Sequence, residues 1–249
     1  MRYSYVLITL LSVASAQAQD TSPITNKGLI KLDYPFMSIL YNCNNRGYEH
    51  FSYITQKDTG NYDRRSSFFQ EERLPAKCRQ FTTGTYKRID KSGTQYDLGH
   101  GAGANHFDFS KAAIEQTNTM ANVLPHASNL NRTGLWRQTD KIIECLRNDE
   151  PLLVYGGVVW GDDKSNDHFV NSHGVITPDY LYKIIIKNNG QYNAWLMPND
   201  DVAKSKSGDS YLTSISHIEK LTGAVFPIDI QKDVIPKSTW KTPKGCDYK

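Results

Sequence analysis

Residues Tyr96 to Arg147 read YDLGHGAGANHFDFSKAAIEQTNTMANVLPHASNLNRTGLWRQTDKIIECLR, and this stretch decides the fold. Tyr96 to Leu98 is a short strand that runs into glycine-rich backbone around His100. Ser110 to Glu115 suits a short helix with Asp108 or Ser110 as its cap. Leu135, Trp136, Ile142, Ile143 and Leu146 recur at helical spacing, which predicts a helix over about 133–147. The stretch holds no H-E-x-x-H zinc helix, no G-x-S-x-G elbow and no P-loop. It has one histidine in irregular glycine-rich chain, with an asparagine about thirty residues later at the start of a helix. That order places an imidazole base opposite a cation held by a neutral amide oxygen.

Outward from this centre, Phe51 to Ile54 reads as a strand and residues 56–65 as a polar loop. Leu152 to Trp160 (LLVYGGVVW) is a buried strand with a central glycine pair. Leu181 to Lys187 and Tyr192 to Met197 form a hairpin through Asn188-Asn189-Gly190. Ser216-His217-Ile218-Glu219 is a capping box, and Gly223 ends the helix it opens. Residues 20–48 show few periodic apolar positions and read as an extended lead-in. Strands dominate the edges of the chain and helices its middle, an α+β layout on a central antiparallel sheet flanked by helices.

The 249 residues carry 29 basic and 26 acidic side chains, a formal charge of +3, with 39% hydrophobic residues. This is the composition of a globular domain and excludes a disordered, collagen-like or coiled-coil chain. Net charge alone does not argue for a nucleic-acid partner. Arg2, the apolar run Val6 to Val13 and the small-residue sites at Ala14-Ser15-Ala16 and Ala16-Gln17-Ala18 read as a signal peptide, residues 1–18. A single domain over 19–249 is then exported, secreted or periplasmic, with no membrane association after cleavage. Cys43, Cys78, Cys145 and Cys246 lie far apart without a C-x-x-C pair, so a zinc ribbon is disfavoured and two disulfides are expected. Three connectivities are open. Cys43–Cys78 with Cys145–Cys246 is the expectation taken forward.

The central stretch resembles the DNA/RNA non-specific endonucleases, the secreted sugar-non-specific nucleases of the ββα-metal (His-Me finger) superfamily. The family's D-R-G-H is similar to Asp97-Leu98-Gly99-His100. Its S-N-x-x-P-Q segment is similar to Ala121-Asn122-Val123-Leu124-Pro125-His126. Its L-N-x-G-x-W is similar to Leu130-Asn131-Arg132-Thr133-Gly134-Leu135-Trp136, with an acid following at Asp140. Asn122 and Asn131 stand nine apart, as in the family pattern. Ser52-Tyr53 to Lys57-Asp58-Thr59 resembles the family's entry strand, and Ile218-Glu219-Lys220-Leu221-Thr222-Gly223 its I-E-x-x-T-G helix. The likeness covers most of the mature chain.

The resemblance implies a ββα-metal core and an Mg²⁺-dependent enzyme, with Mn²⁺ as an alternative ion, that cuts DNA and RNA to leave 5′-phosphate and 3′-hydroxyl ends. It makes His100 the general base and Asn131 the direct protein ligand of the metal. Asp140 holds the metal's water shell, and Asn122 supports the site. Arg65, or its neighbour Arg64, matches the arginine that steadies the phosphate. Asp97 holds the loop or a nearby positive charge. The chain departs from the pattern at three places. Leu98 replaces the motif arginine, so one phosphate contact is missing or is supplied by Lys111, Arg132 or Arg137. His126 replaces a glutamine. Asp140 lies nine residues after Asn131 where the family has eight, and the extra residue is placed at 132–134, before the regular helix.

Plainer readings stand beside these. Asn131 also suits a helix cap and heads an Asn-Arg-Thr glycosylation sequon. His106, His126, His168 and His173 read as structural, and Trp136 and Trp160 as core. The Asp162, Asp163, Asp167 and His168 cluster reads as a solvated loop before a second cation site. Two functional alternatives come from other classes: a non-catalytic exported nucleic-acid-binding protein on the same scaffold, and a phosphodiesterase of small nucleotides.

Overall fold

The computed structural model describes residues 28–226 and 233–246. The expected signal peptide lies outside the described residues. Six antiparallel strands form the main sheet: β1 (Leu29–Asp33), β2 (Ser38–Asn42), β3 (Gly47–Ile54), then, after an excursion of about a hundred residues, β6 (Leu153–Val159), β7 (Tyr180–Ile186) and β8 (Tyr192–Pro198). Their order across the sheet is β1-β2-β3-β6-β7-β8. The excursion carries a second, two-stranded sheet, β4 (Tyr96–His100) against β5 (Val123–Ala127), with α1 (Lys111–Gln116) between them. It ends in α2 (Ser128–Arg132) and α3 (Leu135–Leu146). The last helix is α5 (Ile215–Thr222), after the one-turn α4 (Val170–His173).

The lead-in is more ordered than its sequence indicates. β1 and β2 form a hairpin in which Ile30, Leu32, Ile39 and Tyr41 point into the core. Five-residue strands offer too few alternations to stand out from loop sequence. The capping box also needs correction. Ser214, not Ser216, caps α5, its hydroxyl accepting from the His217 backbone N–H, while Gly223 ends the helix at φ 69°. β5 escaped the sequence reading because a proline interrupts its five buried residues.

β7 explains where the core lies. It is buried on both faces, so its apolar run is nearly continuous. Leu181 and Ile185 join the main core, which also holds Trp136, Ile142 and Ile143 of α3. Tyr182, Ile184 and Ile186 pack on the other side against Ile215 and Ile218 of α5 and Phe226. The small sheet is pinned to the large one by Asn199, beyond β8. Its Oδ1 accepts from the Ala127 N–H at 2.8 Å, and its Nδ2 donates to the Pro125 carbonyl at 2.9 Å. Both expected disulfides are present, Cys43–Cys78 and Cys145–Cys246. No helix among the described residues is long and apolar enough to cross a membrane.

Candidate active site

A cleft of about 770 Å³ opens between the end of β4, the helices α2 and α3, the loop 61–68 and the turn 103–108. His100, Asn131, Asp140, Arg64, Arg132 and Asp97 all line it.

His100 is the last residue of β4. Gly99 before it packs against the ring of His126, and a Cβ there would meet His126 Cγ at 2.0 Å. Asn118 then fixes the His100 ring. Its Nδ2 donates to the carbonyls of Arg65 and Ser67, at 2.9 and 3.3 Å, so its Oδ1 is the end that faces His100 Nε2, at 3.1 Å. An amide oxygen only accepts, so Nε2 carries the hydrogen and Nδ1 keeps a lone pair. Phe68 packs against the same ring at 5.3 Å between centroids. Burial pushes the His100 pKa down to about 4. The Asn118 bond acts against that shift and the nearby Arg64 charge adds to it. The imidazole is therefore neutral at pH 7. Asn118 was not singled out in the sequence. It belongs to a Thr-Asn-Thr run that resembles any polar turn, yet all three residues are buried.

Asp97 organises the opposite wall. Its carboxylate accepts from Ser128 Oγ at 2.9 Å, Asn131 Nδ2 at 3.0 Å and Arg132 Nε at 2.8 Å. Burial raises its pKa, but these donors outweigh burial and hold it below the ordinary carboxylate range. With Nδ2 so engaged, Asn131 is oriented, and its Oδ1 accepts no bond among the described residues. Asn131 sits in α2 and caps neither helix. Thr133 and Gly134 break the chain out of helix before α3 begins at Leu135. The break falls at 133–134, where the sequence reading places the extra residue, and Asp140 lies one turn after Trp136 in α3.

Asp140 is 9% exposed. Its Oδ1 accepts from Lys183 Nζ at 2.5 Å, while its Oδ2 accepts no bond among the described residues. Burial raises its pKa, and the Lys183 charge, its hydrogen bond and the neighbouring His106 and Arg137 together outweigh burial and leave it lowered. His106 donates from Nε2 to the Asp140 carbonyl at 3.2 Å and accepts from the Tyr53 hydroxyl at Nδ1, 2.6 Å. Glu144, one turn on, pairs with Arg137 at 2.8 Å, and burial keeps its pKa raised. Asn122 lies beneath the cleft, its amide wholly engaged with the backbone of Ala102 and Thr117.

Of the arginine pair, Arg64 lines the cleft and makes no ion pair among the described residues. Arg65, the first expectation, lies instead with its guanidinium over the Phe69 ring, 4.9 Å from the centroid. Leu98 lines the cleft as a bare apolar surface. Arg132 and Arg137 flank it, whereas Lys111 is not among the lining residues. Asp163 and His168 line a second cavity of about 420 Å³ with Asp179 and Asp200. Among the described residues, no group of three His, Cys, Asp or Glu is placed to hold a metal.

The donor set in the main cleft suits a hard, hydrated cation. Mg²⁺ takes oxygen ligands, keeps several waters and needs few protein contacts. Asn131 Oδ1 and Asp140 Oδ2 are side-chain oxygens at the cleft that accept no hydrogen bond among the described residues, and they could serve such an ion.

The family described as DNA/RNA non-specific endonuclease matches residues 15–234. Human mitochondrial Endonuclease G is 26% identical over 179 residues, 67% of this chain and 58% of that protein. Human mitochondrial Nuclease EXOG is 25% identical over 152 residues, 55% of this chain and 41% of that one. The chain thus spans about half the length of these relatives. Nuclease C1 of Cunninghamella echinulata var. echinulata is 23% identical over 189 residues, 72% of this chain and 73% of its own. Among solved structures, a chain of the EndoG/EndoGI complex superposes with a TM-score of 0.62 at 18% identity, covering 84% of this chain and 89% of that one. That likeness concerns the fold, an α+β arrangement with a ββα unit formed here by β4, β5 and the α2–α3 helices. Motif, cleft and fold agree, and the chain belongs to the DNA/RNA non-specific endonuclease family.

Proposed function

We propose that this chain is an exported Mg²⁺-dependent endonuclease that hydrolyses DNA and RNA without sequence preference, leaving 5′-phosphate and 3′-hydroxyl ends. The observation that carries the reading is the shared cleft. A neutral imidazole with a free Nδ1 and an oriented carboxamide with a free Oδ1 open into the same space. His100 Nδ1 takes the proton from the attacking water as it adds to phosphorus. Asn118 keeps the ring in the tautomer and orientation this needs. Asn131 Oδ1 would hold the cation and Asp140 Oδ2 would steady its water shell. Such a cation would supply charge neutralisation at the scissile phosphate and the leaving 3′-oxygen. Arg64, unpaired and adjacent, steadies the non-bridging oxygens as the phosphorus becomes pentacoordinate. Arg132 presents a second guanidinium beside Leu98. Contacts of this kind read phosphate rather than base edges, which supports action on both nucleic acids. The two disulfides favour an oxidising compartment and therefore export.

The test is incubation of the protein lacking residues 1–18 with supercoiled plasmid and with RNA, with Mg²⁺ and with EDTA. Nicking and linearisation that EDTA abolishes are expected. Retention of nucleic acid without scission at any metal concentration overturns the catalytic reading. Cleavage confined to small nucleotide diesters overturns the substrate assignment.

A further inference from the structure

The residue least at home in this fold is Lys183. It sits in the middle of β7 between Leu181 and Ile185, on the face that enters the main core, and it is 0% exposed. Its Nζ lies 3.6 Å from the centroid of the Trp136 ring and donates to Asp140 Oδ1 at 2.5 Å. It crosses from the main sheet to the inner face of the helix that lines the cleft. Around it, α3 supplies Asp140, Arg137 and Glu144, and the turn 103–108 supplies His106 beside Asp140. Taking an ammonium group out of water is costly, and a buried ion pair is commonly matched in stability by apolar residues of the same volume. Stability alone does not explain a lysine at this point.

We propose that Lys183 is a positioning residue for the cleft cation. It occupies Asp140 Oδ1, which leaves Oδ2 unbonded among the described residues, and its charge prevents Asp140 from capturing the ion as a direct ligand. The cation then stays on Asn131 with its water shell intact and remains exchangeable. This rests on the functional reading above and deepens it. The sign of the effect is unusual. Removing a buried partner from an acid should tighten cation binding while slowing turnover. A purely structural lysine would leave binding unchanged or weaken it.

The probe is Mn²⁺, titrated into the folded protein and followed by the electron paramagnetic resonance signal of the free ion. Asn131→Ala tests the functional reading and is expected to weaken binding at least tenfold. If it does not, that reading falls and this inference with it. Lys183→Met tests the inference. It should bind Mn²⁺ at least about tenfold tighter, because a unit charge in a buried cluster is worth more than a decade even at an effective dielectric near 20. At saturating Mn²⁺ its kcat on plasmid should fall at least tenfold. Unchanged or weaker Mn²⁺ binding in the folded variant, with Asn131→Ala still impaired, overturns the role of Lys183 alone. Should Lys183→Met not fold, Lys183→Gln, which keeps a hydrogen-bond donor for Asp140 Oδ1 but carries no charge, is titrated in its place. It should bind Mn²⁺ at least about fivefold tighter than the parent protein, and unchanged affinity overturns the proposal.

Discussion

Replacing His100 by Ala should remove at least about a thousandfold of kcat while leaving the circular dichroism spectrum unchanged, because the ring lines the same cleft as Asn131 and its Nδ1 is unengaged among the described residues. Retained activity would place the base elsewhere. Asn118→Ala should cost roughly a hundredfold through loss of the tautomer lock, with little change in KM. The His100 pKa, pushed down to about 4, also sets a pH profile. The imidazole is the competent base only when neutral. The acidic limb of kcat/KM should therefore fall well below the 6.5 of a free histidine, and a limb centred near 6.5 would contradict the burial argument.

At the scale of elements, the break between α2 and α3 is what keeps Asp140 in the cleft. A Cβ on Gly134 would meet Leu130 Cα at 2.7 Å and the Ala203 carbonyl at 2.8 Å. Gly134→Val should therefore lower both the melting temperature and the activity, whereas Gly190→Val, which meets nothing within 4 Å, should affect the left-handed turn alone. α3 is also where the sequence was most legible. Its apolar spacing gave the helix within two residues of its bounds. The disulfide pairs and the β7–β8 hairpin were equally readable. The hidden parts share a physical cause. β1, β2 and β5 are too short to display a period, and Asn118 and Lys183 matter only through partners 18 and 43 residues away. Lys183 even reads as an ordinary polar interruption of an apolar strand. Arg64 and Arg65 differ only in which way the loop turns each side chain.

Over the whole molecule, three histidines held neutral by burial set the acid limit. Burial pushes His106 and His126 down to about 3 each and His100 down to about 4. Below pH 6.5 the unfolded chain takes up protons that the folded chain refuses, so stability falls as the solution is acidified. The loss approaches about 1.4 kcal/mol per pH unit for each residue until the folded pKa is reached. Denaturant midpoints measured at pH 7, 6, 5 and 4 should decrease steadily, and His126→Gln should flatten that slope by about a third, because His100 and His106 keep their share. Stability independent of pH across this range would contradict it.

The bond between Cys145 and Cys246 closes a loop of 101 residues, from the last turn of α3 to the tail. The tail is also sewn to the sheet, with the Trp240 N–H on Asn193 Oδ1 and the Thr239 N–H on Asp209. Any single cut by an outside protease within that loop, for instance in the exposed segment at 162–165, yields two pieces that remain covalently joined. Such a nicked protein would run as an intact chain on a non-reducing gel and separate only after thiol treatment. The crosslink thereby turns backbone scission from an immediate loss of parts into a tolerable injury.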